Sequence, residues 1–127
     1  MEELFYTRDN YCISIDNDIA TVGLTSFILD DINIVNFIEL PAIGSICSKT
    51  ELIGQINYND DENLDLYSVF SGRIVDVNDS LVDNTEQLFS NDMENSWIYR
   101  ICLNTKAELE NELMSEEEYE EYLEEIK

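Results

Sequence analysis

Short β-prone runs broken by polar clusters dominate the chain as far as Leu103, and a helical spacing replaces them afterwards. Cys12, Ile13 and Ile15 lead into Asp16-Asn17-Asp18, and Ile19 to Leu24 follows. Two such runs around a tight Asp/Asn cluster predict a hairpin. Thr25 then suits the N-cap of a short helix, Ser26 to Ile32, with Asn33 in the left-handed position that ends it. Ile34 to Leu40 predicts a strand stopped by Pro41, the one proline. Ile43 and Gly44 turn the chain towards a strand over Glu51 to Asn57, and the polar stretch from Tyr58 to Asp65 predicts a turn. A strand region from Tyr67 to Val77 is punctuated at Ser71-Gly72. Asn78 to Ser96 is expected to be loop with one helical turn around Glu86 to Phe89, and Trp97 to Leu103 supplies the last strand.

Beyond Leu103, Thr105 and Glu108 form a capping box ahead of Leu109 and Leu113. Ser115 and Glu118 form a second one ahead of Tyr119, Tyr122, Leu123 and Ile126. Those four fall at i, i+3, i+4 and i+7, one apolar stripe of a helix with the intervening glutamates as its solvated face. A stripe of this kind is ordinarily core, with a docking face as the alternative. The pattern as a whole predicts one α+β domain over 1–127, mostly β. Its strands occupy about 4–103 and its helical segment about 105–126.

Composition narrows the function classes. The 127 residues suffice for one domain, and 44% of them are apolar, enough for a core. Twenty-nine acidic residues against six basic ones give a net charge of −23, which repels nucleic-acid phosphates and anionic lipid and favours basic protein surfaces. Simple solvation, or a host with an acidic proteome, is the plainer account of the same charge. No stretch has transmembrane length and Met1 to Thr7 lacks the pattern of a signal peptide, so a cytoplasmic location is expected. Cys12, Cys47 and Cys102 sit among apolar neighbours and are expected to be reduced. Without histidine or a C-x-x-C pair, the chain offers little for a zinc site or a Cys-His nucleophile.

Several segments, read in order, resemble one family. They are Tyr6-Thr-Arg-Asp9, Asp18-Ile-Ala-Thr-Val-Gly-Leu-Thr25, Val35-Asn-Phe-Ile-Glu-Leu-Pro41 with Gly44, and Asp65-Leu-Tyr-Ser-Val-Phe-Ser-Gly-Arg-Ile-Val-Asp-Val-Asn78. Leu81-Val-Asp-Asn84, Trp97 and Glu116-Glu-Glu-Tyr119 complete the series. Together they resemble the H protein of the glycine cleavage system. The resemblance implies a flattened β-barrel or sandwich of the lipoyl/biotinyl-carrier (barrel-sandwich hybrid) type, with C-terminal helices. It also implies a non-catalytic carrier whose lipoyl-lysine stands at a hairpin tip, and partners among glycine cleavage or lipoate-handling enzymes.

The anchoring lysine is missing. Counted forward from Glu39-Leu-Pro41 its place falls at Asp60, and counted back from Asp65-Leu-Tyr67 at Asp61. A carboxylate cannot form the lipoyl amide, so no lipoate is expected. Lys49 is the nearest conceivable substitute, in a preceding turn on another edge, while Lys106 and Lys127 lie in or beyond the C-terminal helices. The family's His-Glu-Trp near the start is replaced by Asn10-Tyr11-Cys12, and its later Asn-x-Asp-Pro-Tyr-Gly survives only as an echo around Asn91-Asp92. Asn57, Asn59, Asp61, Asn63 and Asp65 alternate, so an extended strand would turn their oxygens to one side. A calcium or magnesium site on Asn59, Asp61, Asn63 and Asp65 is thinkable, with a solvated acidic turn as the simpler reading. Three functions stay open at this level: an unlipoylated binding or regulatory protein, a carrier re-anchored at Lys49, and a repurposed acidic interaction module.

Overall fold

The computed structural model describes residues 4–90, 93–104 and 113–126. In chain order it contains β1 (Leu4–Tyr6), β2 (Tyr11–Asp16), β3 (Ile19–Leu24), α1 (Ser26–Leu29), β4 (Val35–Glu39), β5 (Ile46–Cys47) and β6 (Leu52–Tyr58). β7 (Glu62–Tyr67), β8 (Gly72–Val77), α2 (Ser80–Asp83), a 3-10 turn over Thr85–Phe89, α3 (Met93–Ser96), β9 (Tyr99–Leu103) and α4 (Glu116–Ile126) follow. Six strands form one sheet in the order β1-β2-β3-β9-β8-β5, and three form a second, β4-β6-β7. The two sheets are not hydrogen-bonded into a closed barrel, so the architecture is the sandwich form of the expected class.

One core joins them. Ile13, Val22, Ile74 and Ile101 from the larger sheet and Ile38, Ile56 and Leu66 from the smaller one belong to the same buried cluster. Full burial of each aliphatic side chain contributes roughly 1.5–3 kcal/mol, the main force holding so acidic a chain together. The predicted β2–β3 hairpin is present, with Asn17 in the left-handed region at its turn (φ 56). Tyr11 through Ser14 are all buried, so β2 is covered on both faces. At Gly72 a Cβ would run into the Cys102 carbonyl oxygen, which is why β8 and β9 can approach closely only with glycine there.

Four expectations need correction. The Tyr58–Asp65 turn is confined to residues 59–61, and Glu62–Tyr67 is strand β7. Its polar sequence hides a strand because one side of the small sheet carries a hydrogen-bonded array of amides and carboxylates. The helix after Thr25 has a single turn, not seven residues, and Asn33 is not left-handed. The Thr25 hydroxyl does not cap it, because that oxygen is engaged by Tyr119. The 78–96 loop holds three short helical pieces rather than one. β1 and the two-residue β5 are too short to register as periodic runs.

The second capping box is formed. The Ser115 N–H donates to Glu118 Oε1 at 3.1 Å, and the Glu118 N–H donates to Ser115 Oγ at 3.2 Å. Tyr119 is buried and stacks on Tyr6 with ring centres 4.8 Å apart, while Tyr122 and Leu123 are half-buried and Ile126 is exposed. The first box and Leu109 lie outside the described residues. Lys106, Lys127 and Asn91-Asp92 do too. Cys12 and Cys47 are buried and free, and Cys102 is free and half-buried.

Candidate functional site

The hairpin of β6 and β7 positions the residues of interest. Its last pair is Tyr58 with Glu62, leaving Asn59-Asp60-Asp61 as a three-residue loop with Asp60 at its centre. Asn59 (φ 50) and Asp61 (φ 77) are left-handed, a conformation that Asn and Asp tolerate better than most residues. Below the loop, Ile56 pairs with Leu64 and with Ile38, pinning the hairpin to the core.

The tip is moored as well as supported. Asn59 Oδ1 accepts the N–H groups of Asn33 (2.9 Å) and Ile34 (3.2 Å), and its amide donates to the Asp31 carbonyl at 3.2 Å. The Asn59 N–H donates to the Ile34 carbonyl at 2.8 Å, and its own carbonyl accepts the Asn36 side chain at 3.0 Å. Asn57, almost fully buried, accepts from Asn36 at 2.8 Å and donates to Asp61 and to Asn63, both at 2.9 Å. Each buried polar atom thus finds a partner, and the loop is held in one geometry. Asp60 is left exposed at the apex.

The oxygens considered for a cation are engaged by protein donors at three separate places. Asn59 points to the 31–34 segment, Asp61 and Asn63 accept from Asn57, and Asp65 accepts from Gln55 at 3.1 Å and from the Tyr67 hydroxyl at 3.3 Å. Their one-sided alternation assumed an uninterrupted strand, whereas the chain reverses at 59–61. Among the described residues, no group of three or more acidic or cysteine side chains is disposed to hold a metal.

Lys49 lies elsewhere, in the turn before β6, where its N–H donates to Ser71 Oγ at 3.0 Å. It lines a cleft of about 380 Å³ together with Asp9, Tyr11, Ile28, Asp65 and Tyr67. Two tyrosines that pattern reading did not single out hold the 67–69 segment beside that cleft, Tyr11 lining it and Tyr99 buried behind it. Tyr11 Oη accepts the Tyr67 N–H at 2.8 Å, and Tyr99 Oη accepts the Val69 N–H and donates to the Tyr67 carbonyl, both at 3.1 Å. Burial pushes the Tyr11 phenol up to about 12 and the Tyr99 phenol up as well, so both stay neutral at physiological pH. The inward alternation of Tyr99, Ile101 and Leu103 is the one signal that could have found Tyr99.

A sandwich of this order has known counterparts. The family model for the glycine cleavage H-protein matches residues 4–126. The chain belongs to the glycine cleavage H-protein family. The H protein of Rubrobacter xylanophilus is 36% identical over 124 residues, 98% of this chain and 94% of its own. That of Halothermothrix orenii is 32% identical over 125 residues, covering 98% and 96%. The crystal structure of an H protein from Mycobacterium marinum superposes with a TM-score of 0.82 at 25% identity, covering 97% of this chain and 98% of that one. As a member of that family, this chain is not an enzyme. No helix among the described residues is long and apolar enough to cross a membrane.

Proposed function

We propose that this H-family protein works without a lipoyl arm, as a binding or regulatory partner for proteins that recognise the H-protein surface. Glycine cleavage enzymes and lipoate-handling enzymes are the partners the family suggests. The observation that carries the reading is the hairpin apex, where the family has its carrier lysine and this chain has Asp60, between Asn59 and Asp61. Asp60 occupies the centre of the loop, which favours it over Asp61 as the replaced position. A carboxylate offers no amine for the lipoyl amide. The mooring of Asn59 supports a tip kept in a defined shape for recognition rather than one decaying into a slack loop.

Re-anchoring at Lys49 has poor geometry. That residue precedes β6, and the apex follows it, so the seven residues of the strand separate the two by roughly 20 Å. An arm based there would start from a different edge of the molecule and aim its dithiolane elsewhere.

The test is the intact mass of the protein purified from its own host, or from cells co-expressing that host's lipoate-attachment enzymes. An unmodified mass is expected. A mass raised by one lipoyl group and mapped to Lys49 would overturn the reading. Pull-downs with glycine cleavage enzymes then separate a retained H-protein partner from a repurposed acidic module, which would bind none of them.

A further inference from the structure

On the face of the molecule formed by α1, α3 and α4, an open groove of about 520 Å³ runs between the helical pieces and β1. Its size lies within the range of roughly 300–1,000 Å³ typical of sites that hold a compact ligand. The floor is apolar, with Leu24, Leu29, Met93 and Leu123 along it and Phe89, 39% exposed, at the rim. Its walls carry one sign of charge. Glu116 and Glu120 stand on α4, Asp30 stands at the end of α1, and all three are exposed. Among the described residues, no basic side chain lines the groove, unlike the cleft beside β7, where Lys49 accompanies Asp9 and Asp65.

We propose that this groove docks a basic amphipathic segment of a partner protein, its apolar side chains on Leu24, Leu29 and Leu123 and its lysines or arginines facing Asp30, Glu116 and Glu120. Charge complementarity selects that occupant. A second copy of this chain, at −23, would bring like charge to the acidic walls, and nucleic acid and anionic lipid are repelled in the same way. An apolar floor between acidic walls matches a helix that presents anchors at i, i+3, i+4 and i+7 with cations beside them. The apolar contacts would set affinity, and the carboxylates would set orientation and speed of association.

The inference rests on the reading of this protein as a binding partner, yet it fails or stands separately, since lipoylation is read by mass and docking by titration. The probe is a fluorescent helical peptide of about four turns, built of leucine and lysine in that pattern, against a scrambled peptide of the same composition. The wild-type protein is expected to bind the patterned peptide at least about tenfold tighter than the scrambled one at physiological salt. Leu123→Glu and Asp30→Lys are each expected to weaken it about tenfold. Asp16→Lys makes the same charge change at the far end of the β2–β3 hairpin and is expected to cost less than about twofold. Asp30 is exposed and ends a helix, so its replacement by lysine leaves the fold intact even if Leu123→Glu disturbs the docking of α4. Equal losses from Asp30→Lys and Asp16→Lys, equal binding of both peptides, or binding of neither would overturn the proposal.

Discussion

The Tyr119 hydroxyl lies 2.9 Å from the Thr25 hydroxyl and 2.7 Å from Asn10 Oδ1. Tyr119 donates to Asn10, so Thr25 must donate to Tyr119. One atom therefore ties the last helix to both strands of the β2–β3 pair at the end where Tyr11 faces Leu24. It holds α4 in place although that helix carries glutamates into its last turn, where the helix dipole disfavours them. Tyr119→Phe keeps the ring stacked on Tyr6 and removes only the oxygen, leaving the buried Thr25 hydroxyl without this partner. A loss of about 1–3 kcal/mol in urea unfolding is expected. A loss near zero would mean that water replaces the phenol and that α4 is held by apolar contact alone.

Asp60→Lys tests what the hairpin tip still offers. If the tip keeps the shape that attachment enzymes read, an ε-amine at the apex should accept a lipoyl group on co-expression with them, and the intact mass should rise accordingly. Asp61→Lys is expected to be modified less. It would place lysine at a φ of 77 and remove the carboxylate that accepts from Asn57. No modification of either variant would show that the recognition surface has changed along with the lysine, which would count against lipoate-handling enzymes as partners.

How far this tip could be read from sequence depends on what holds it. The β2–β3 hairpin, the strand ending before Pro41 and the Ser115–Glu118 cap were legible, because alternation, proline and capping chemistry are local signals. The family resemblance put the expected carrier position at Asp60 or Asp61, and the three-residue loop puts Asp60 at the apex. β7 was not legible. Glu62, Asn63 and Asp65 look like loop residues, and they form a strand because their partners lie across the hairpin on β6, Asn57 and Gln55 among them, and polar pairs of this kind leave no alternation to read. Thr25 shows the same limit. As a helix cap it was a sound local inference, but a tyrosine ninety-four residues later takes the hydroxyl.

Asn57→Ala measures the polar array directly. The amide accepts from Asn36 and donates to Asp61 and Asn63, and it is buried between β4 and β7. Truncation strands three partners in a partly dry setting, and a destabilisation of about 2–3 kcal/mol is expected. Amide hydrogen exchange should rise at Asn33 and Ile34, whose N–H groups depend on Asn59 staying in place. Unchanged exchange there would show that Asn59 is moored independently of Asn57.

Alkaline pH should loosen the seam between β1 and β2 first. Burial pushes the Cys12 thiol up to about 11, and burial, then the neighbouring Cys12 and Glu116, pushes the Tyr6 phenol up to about 12. Burial also raises Tyr11 to about 12, against the opposing effect of the Tyr67 N–H. Each group has a higher pKa folded than unfolded, so the folded state holds its protons more tightly. Their contribution is complete below the unfolded values of 9.0 for the thiol and 10.0 for the phenols. It is lost as pH climbs through the folded ones. Unfolding free energy should therefore fall between about pH 9 and 12. Cys12→Ala should delay the onset of that fall, and Tyr6→Phe should make it shallower at the upper end. Urea melts across the range, with tyrosinate absorbance followed in parallel, measure both. A fall that begins at the same pH in the wild type and in Cys12→Ala would assign the alkaline limit to the phenols alone.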